Sequence, residues 1–157
     1  MAGVGKAGFA AARAAATLSS WGIPSHALDC GNAPHGDLGQ VGSRDAVIAV
    51  SKSGETPELL SLAALLKARR IPIVAVTGGA RSRLARLAAI TLAHPDVTEG
   101  GPWDLAPMAS GLAEAALLDA LASELVAELG KTPKDFATGH PGGTLGHRAA
   151  QLAKKRS

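Results

Sequence analysis

The chain has 157 residues, 46% hydrophobic and 18% charged, with a formal charge of +3 and a single cysteine, Cys30. That is one globular domain's worth of sequence, which excludes a disordered chain and an internal disulfide. No apolar stretch reaches the roughly 20 residues of a membrane span. The start "MAGVGKAG" has no basic region followed by an apolar one, so no secretion signal is read and the expected location is cytoplasmic. The positive excess lies in Arg148, Lys154, Lys155 and Arg156, without which the balance is −1. Residues 148–157 therefore read as a solvated basic tail behind a domain at 1–147. With only Phe9, Trp21, Trp103 and Phe136 as aromatics, no nucleic-acid partner is expected.

Short β-branched runs alternate with alanine- and leucine-rich helical patterns, which predicts a parallel α/β sheet. "GKAGFAAARAAATLSSWG" is a glycine turn entering a helix that stops near Gly22. "HALDC" is a short strand candidate and "DAVIAV" a better one. "PELLSLAALLKARR" is helical, with Pro57 in the first turn and Leu59, Leu62, Ala63 and Leu66 on one face. "IPIVAVTG" is a strand, "SRLARLA" a helix and "AITLA" a last strand. The longest helix is "APMASGLAEAALLDALASELVAELG", stopped by Gly130. Its Leu118, Leu121, Leu125 and Leu129 can face a core or a neighbouring subunit. "KTPKDFATGHPGG" reads as a turn before a short basic helix. One element is missing: a loop such as "GVGKAG" normally follows a strand, and only Met1 and Ala2 precede it, so the first strand near the middle of the sheet is expected to be absent.

In a parallel sheet the crevice beyond the C-terminal strand ends is the usual binding site. "GVGKAG", "SKSGET", "VTGGARS" and "TEGGPWDLAP" all lie at such ends. Ser51, Ser53 and Thr56 offer hydroxyls, Gly54 lets a ligand approach the backbone, and the following helix offers free N–H groups, an arrangement suited to phosphate. Helix capping by Ser53 or Thr56 is the competing use of the same oxygens. Lys6 is either a cation at the mouth of the crevice or a solvated surface lysine. "GVGKAG" has the spacing of neither a dinucleotide loop nor a P-loop, and no H-E-x-x-H or C-x-x-C spacing points to a metal. Glu55, Glu99, His35 and His140 are candidates for moving protons next to a carbonyl, each with a turn or surface role as its alternative.

Taken together, "GVGKAG", "PHGDLG", "DAVIAVSKSGET", "PIVAVTGGARSRLARLA", "LAP" and "DFATGHPGGTLG" resemble the sugar isomerase (SIS) domain, and within it the arabinose-5-phosphate isomerases. The resemblance runs from residue 3 to about 147. It implies a three-layer α/β/α sandwich with flavodoxin-like strand order, no cofactor, and a homotetramer with active sites between subunits. It places the catalytic lysine on Lys6, the two glutamates on Glu55 and Glu99, and the histidine on His140. His35 falls on a substrate-contacting histidine, and Ser51, Ser53 and Thr56 on phosphate-binding hydroxyls. The departures are specific. "APMASG" replaces the family's usual "APTSST" and keeps one matching hydroxyl, Ser110. Asp29 stands for a histidine that can bind inhibitory zinc, Asn32 for a glutamate, and Lys52 where asparagine is common.

The expected function is a cofactor-independent aldose–ketose isomerase that interconverts ribulose 5-phosphate and arabinose 5-phosphate through an enediol. Glu99 and His140 would form the proton-transfer pair, with either as base. Lys6 would stabilise the oxyanion, and Glu55 would orient hydroxyls or assist proton transfer. The alternatives are another SIS isomerase, for a hexulose or heptose phosphate, and a non-catalytic sugar-phosphate sensor. A sensor needs the phosphate site but neither Glu99 nor His140.

Overall fold

The structure is a computed structural model and describes residues 1–155. Strand β1 is Ala2–Gly3, and helix α1, Lys6–Ser20, follows at once and buries Ala11, Ala14, Ala15 and Leu18. The turn is tight because both elements use glycine: a Cβ on Gly8 would lie 2.8 Å from the Gly3 carbonyl oxygen. Strand β2, Val47–Val50, leads into α2, Pro57–Ala68, which buries Leu59, Leu62, Ala63 and Leu66 as their spacing predicts. Then come β3, Ile73–Thr77, α3, Arg83–Leu87, and β4, Ile90–Ala93. Helices α4, Ala109–Glu128, α5, Pro133–Gly139, and α6, Gly143–Lys155, complete the described chain.

The strands pair in parallel in the order β1-β2-β3-β4. Ala2 also bridges in parallel to Leu28 on the free side of β1. Counting Leu28 as a strand position, the order is 2-1-3-4-5, the flavodoxin-like arrangement. Two expectations are corrected here. The first strand is present, as a two-residue piece, and "HALDC" contributes a single bridge instead of a strand.

Alternation along the strands divides the core into two layers. Val47 and Ala49 of β2 and Ile73 and Ala75 of β3 pack with Leu59, Leu62, Leu66 and Leu84 from α2 and α3. Val50 and Val76 point the other way and pack with Ala11, Ala14 and Leu118 from α1 and α4. Alanines on α1 let α4 lie close beside it. The result is the three-layer α/β/α sandwich.

One reading of the C-terminal part also changes. "KTPKDFATG" is not a turn: the Thr132 hydroxyl accepts from the Asp135 N–H, the Asp135 carboxylate accepts from the Thr132 N–H, and Pro133 opens the helix. This reciprocal cap satisfies two otherwise unpaired amides and starts α5. Residues 148–155 form the end of α6, the short basic helix expected there, with Ala149 buried and most of the other positions exposed. Arg156 of that basic segment lies outside the described residues.

Candidate active site

Three segments meet beyond the C-terminal ends of β1 and β2: the start of α1, the "SKSGET" loop with the start of α2, and the start of α4. They enclose a cavity of about 280 Å³ whose lining includes Lys6, Ser51, Ser53, Thr56, Ser110 and Glu114. Lys6 opens α1, so its cation stands at the cavity beside the positive end of that helix.

The 51–56 loop separates the ligand reading of its hydroxyls from the capping one. Thr56 occupies the N-cap position of α2, yet no side chain caps that helix. Its hydroxyl lies 2.9 Å from the Ser51 hydroxyl instead, and the Ser53 hydroxyl accepts from the Glu55 N–H at 3.1 Å. Both Ser51 and Thr56 therefore face the cavity with the first amides of α2 unclaimed by a side chain, which leaves a polar nest fit for an anion. Gly54 has a packing task in this loop. It sits at φ 64°, and a Cβ there would meet the Ser82 Oγ at 2.1 Å. The missing side chain makes room for the loop after β3.

Glu99 comes from the segment after β4 and is 6% exposed. One carboxylate oxygen pairs with the Lys52 ammonium at 2.8 Å. The other accepts from the backbone N–H groups of Met108 at 2.9 Å and Ser110 at 3.1 Å. These contacts fix the start of α4 against the loop after β2. The Lys52 hydrogen bond, then those from Ser110, hold the Glu99 carboxyl at about 2, so it is ionised throughout the neutral range. Lys52 also donates to the Val97 carbonyl at 3.3 Å and lines the cavity. Glu55 points elsewhere: its carboxylate accepts from the Arg83 backbone N–H at 2.8 Å and from the Arg83 guanidinium, and these bonds hold its pKa below the usual value. It anchors the first turn of α3.

The histidines are not brought to this cavity. His35 ends an exposed 3₁₀ turn, Ala33–His35. His140 follows α5 and stacks on Phe136 with ring centroids 5.3 Å apart. Phe136 in turn meets Trp21, the residue that ends α1, edge-on at 4.8 Å. Lys6 is at the other end of α1, and 15 residues of helix separate the two ends by roughly 20 Å. One chain thus assembles Lys6, Ser51, Ser53, Thr56 and Ser110, holds Glu99 just behind them, and leaves Glu55, His35 and His140 outside.

Two residues of the site were not picked out in the sequence as site residues. Lys52 sits inside "SKSGET", where its cation had a strand-end position equal to that of the serines. Glu114 lies four residues after Ser110, on the same face of α4, a spacing that could have linked the two. Among the described residues no group of three His, Cys, Asp or Glu side chains is placed to hold a metal ion, and no helix is long and apolar enough to cross a membrane.

The fold and cavity define a doubly wound α/β domain with a polar cavity at the strand ends. Residues 1–124 match the family model described as SIS domain, and the chain belongs to that family. It is 43% identical over 146 residues to the arabinose 5-phosphate isomerase KdsD of Escherichia coli O157:H7, a match covering 93% of this chain and 44% of that protein. The corresponding protein of Pseudomonas aeruginosa is 41% identical, with 93% and 45% covered. The chain therefore spans less than half the length of these relatives. Among solved structures it is similar to E. coli CFT073 c3406 in complex with arabinose 5-phosphate, with a TM-score of 0.84 and 36% identity over 89% of this chain and 74% of that one.

Proposed function

We propose that this chain is the catalytic domain of an arabinose 5-phosphate isomerase, interconverting ribulose 5-phosphate and arabinose 5-phosphate without a cofactor. The observation that carries the reading is the uncapped start of α2, where the Ser51 and Thr56 hydroxyls and Lys6 share one cavity. The phosphate group is assigned to this nest, with Ser53 beside it and Ser110 across the cavity. The kinship with proteins named arabinose 5-phosphate isomerase, and with a structure that holds this sugar phosphate, supports the choice of substrate.

The chemistry needs one proton to leave C1 of the ketose while negative charge develops on O2. The same face of the enediol then regains a proton at C2, and O2 takes up a proton while O1 gives one up as the aldehyde forms. Lys6 is the group placed to stabilise the oxyanion. A carboxylate held near 2, as Glu99 is, is a poor base at neutral pH, and Glu55 is bound to Arg83. The geometry favours supporting roles for both: Glu99 fixes Lys52 and the start of α4, and Glu55 fixes α3. Proton transfer is assigned to His140, since one imidazole can both take and return a proton. Within a single chain His140 is too far from Lys6, so the reading includes a homo-oligomer, expected to be a tetramer, in which His140 of one copy reaches the cavity of another. His35 is assigned to substrate contact in the same assembled site. Apolar side chains exposed at α1 and around the start of α4, among them Phe9, Leu112, Trp103 and Leu105, are consistent with copies packing there.

Incubation with ribulose 5-phosphate, beside hexulose and heptulose phosphates, tests the reading by NMR of the products. Arabinose 5-phosphate is expected. A different aldose phosphate would reassign the substrate, and binding without turnover would make the domain a sensor.

A further inference from the structure

Glu114 has no part in that scheme, yet it occupies a telling position. It is 2% exposed, on the second turn of α4, and lines the same cavity as Lys6, Ser51, Ser53 and Thr56. Its Oε1 has no hydrogen-bond partner among the described residues. A buried polar oxygen left unpaired is costly, and a buried unpaired carboxylate far more so. Because Glu114 lines the cavity, a ligand bound there can supply the missing partner. If that ligand brings a phosphate, an ionised Glu114 would repel it, whereas a neutral carboxylic acid would donate a hydrogen bond to a phosphate oxygen.

We propose that Glu114 binds the ligand as a neutral carboxylic acid, donating a hydrogen bond to an anionic oxygen of its phosphate group, so that tight binding requires one proton held by the protein. The inference rests on the phosphosugar reading given above. The surroundings support it. Burial, and then the nearby Glu99 carboxylate, push the Glu114 carboxyl up to about 7, with Lys52 pulling weakly the other way. From α1, Lys6 lines the cavity, while Arg13 is turned to Asp119 at 2.9 Å further along α4. β3, which also packs on α4, carries no ionisable side chain. Glu114 thus divides its time between both forms near neutrality, and a ligand phosphate selects the protonated one.

Calorimetric titration of the full chain with arabinitol 5-phosphate tests this, because that ligand lacks the carbonyl and cannot isomerise. The phosphate has its second pKa near 6, so between pH 7 and 8.5 it is essentially a dianion. With Glu114 titrating at about 7, the protonated fraction falls roughly 15-fold across that window, and affinity should fall by up to that factor. Titrations in buffers of different ionisation enthalpy should show proton uptake on binding at pH 8 in the unaltered protein. Glu114→Gln, which is neutral at every pH and keeps a donor, should bind with neither the uptake nor the slope. Retained binding with a flat profile and no proton uptake overturns the proposal, as does a slope that persists in Glu114→Gln. Failure of the unaltered protein to bind at any pH overturns the phosphosugar reading itself, and the proposal with it.

Discussion

The C-terminal edge of the sheet and the α5–α6 segment both carry residues with a proposed part in one reaction, and they are built in opposite ways. At the sheet edge several polar groups are tied to one another: Ser51 to Thr56, Lys52 to Glu99, and Glu99 to the start of α4. At α5 the histidine is half-buried and held by stacking on Phe136, near the far end of α1. The first region fixes its geometry within one chain. The second holds His140, the proposed proton-transfer group, away from its own chain's cavity, as the proposed oligomer requires.

The hardest test of this contrast is His140→Gln. Loss of a positioned acid–base group should lower kcat by about 10²–10⁴-fold. Stability should move little, because an aromatic stack contributes only about 0.5–1.5 kcal/mol. Mixing this variant with Lys6→Ala should then restore part of the activity, since hybrid oligomers contain some cavities with both groups intact. Full activity of His140→Gln removes the residue from the mechanism, and mixtures that stay inactive break the link between the two regions.

Within the sheet edge, Ser53→Ala and Thr56→Ala should each weaken phosphosugar binding without unfolding the domain. A hydrogen bond to a charged group is worth about 1.5–3 kcal/mol, or roughly 10- to 150-fold in affinity. Unchanged calorimetric affinity in both variants would move the phosphate elsewhere.

The same contrast explains what can be read from the sequence. The helices and strands with clear periods, such as Leu59, Leu62 and Leu66 on α2, are where the pattern puts them because burial alone decides them. The 51–56 loop is legible as a candidate site for a related reason: its hydroxyls directly follow a buried strand. The partners of Glu55 and Glu99 are not legible, because they depend on which loop lies beside which once the sheet forms. The role of Gly54 is hidden for the same cause, its neighbour Ser82 being 28 residues away in sequence. The short β1 and α5 escape notice because two residues carry no period and the "TPKD" cap has the composition of a turn.

The packing of Gly54 against Ser82 carries its own test. Gly54→Ala forces an alanine to φ 64° at a cost of about 1–2 kcal/mol, and adds a clash with Ser82. Removing the obstruction with Ser82→Gly should recover part of the lost stability, less the cap that Ser82 gives α3. In chemical denaturation the double variant should therefore be more stable than the two single changes added together. Simple additivity would mean that the two loops do not press on each other at this point.

The finest distinction at the sheet edge lies between Glu99 and Glu114, whose carboxyls are shifted in opposite directions from the same starting value of 4.5. Glu99, lowered to about 2, binds fewer protons folded than unfolded between pH 2 and 4.5. Its stabilising contribution is present above that range and disappears as pH falls through it. Glu114, raised to about 7, binds more protons folded than unfolded between pH 4.5 and 7. Its contribution is full at the acid end and is lost as pH rises. Replacing Glu114 with glutamine removes the second dependence and leaves the first. The variant should melt at the same temperature as the unaltered protein at pH 4.5 and a few degrees higher at pH 8, with the gap opening through the intervening range. Thermal melts of both proteins across that range decide it. A constant offset would mean that Glu114 keeps an ordinary acidity in the folded protein, and that its buried carboxyl finds in solution the partner it lacks in the folded chain.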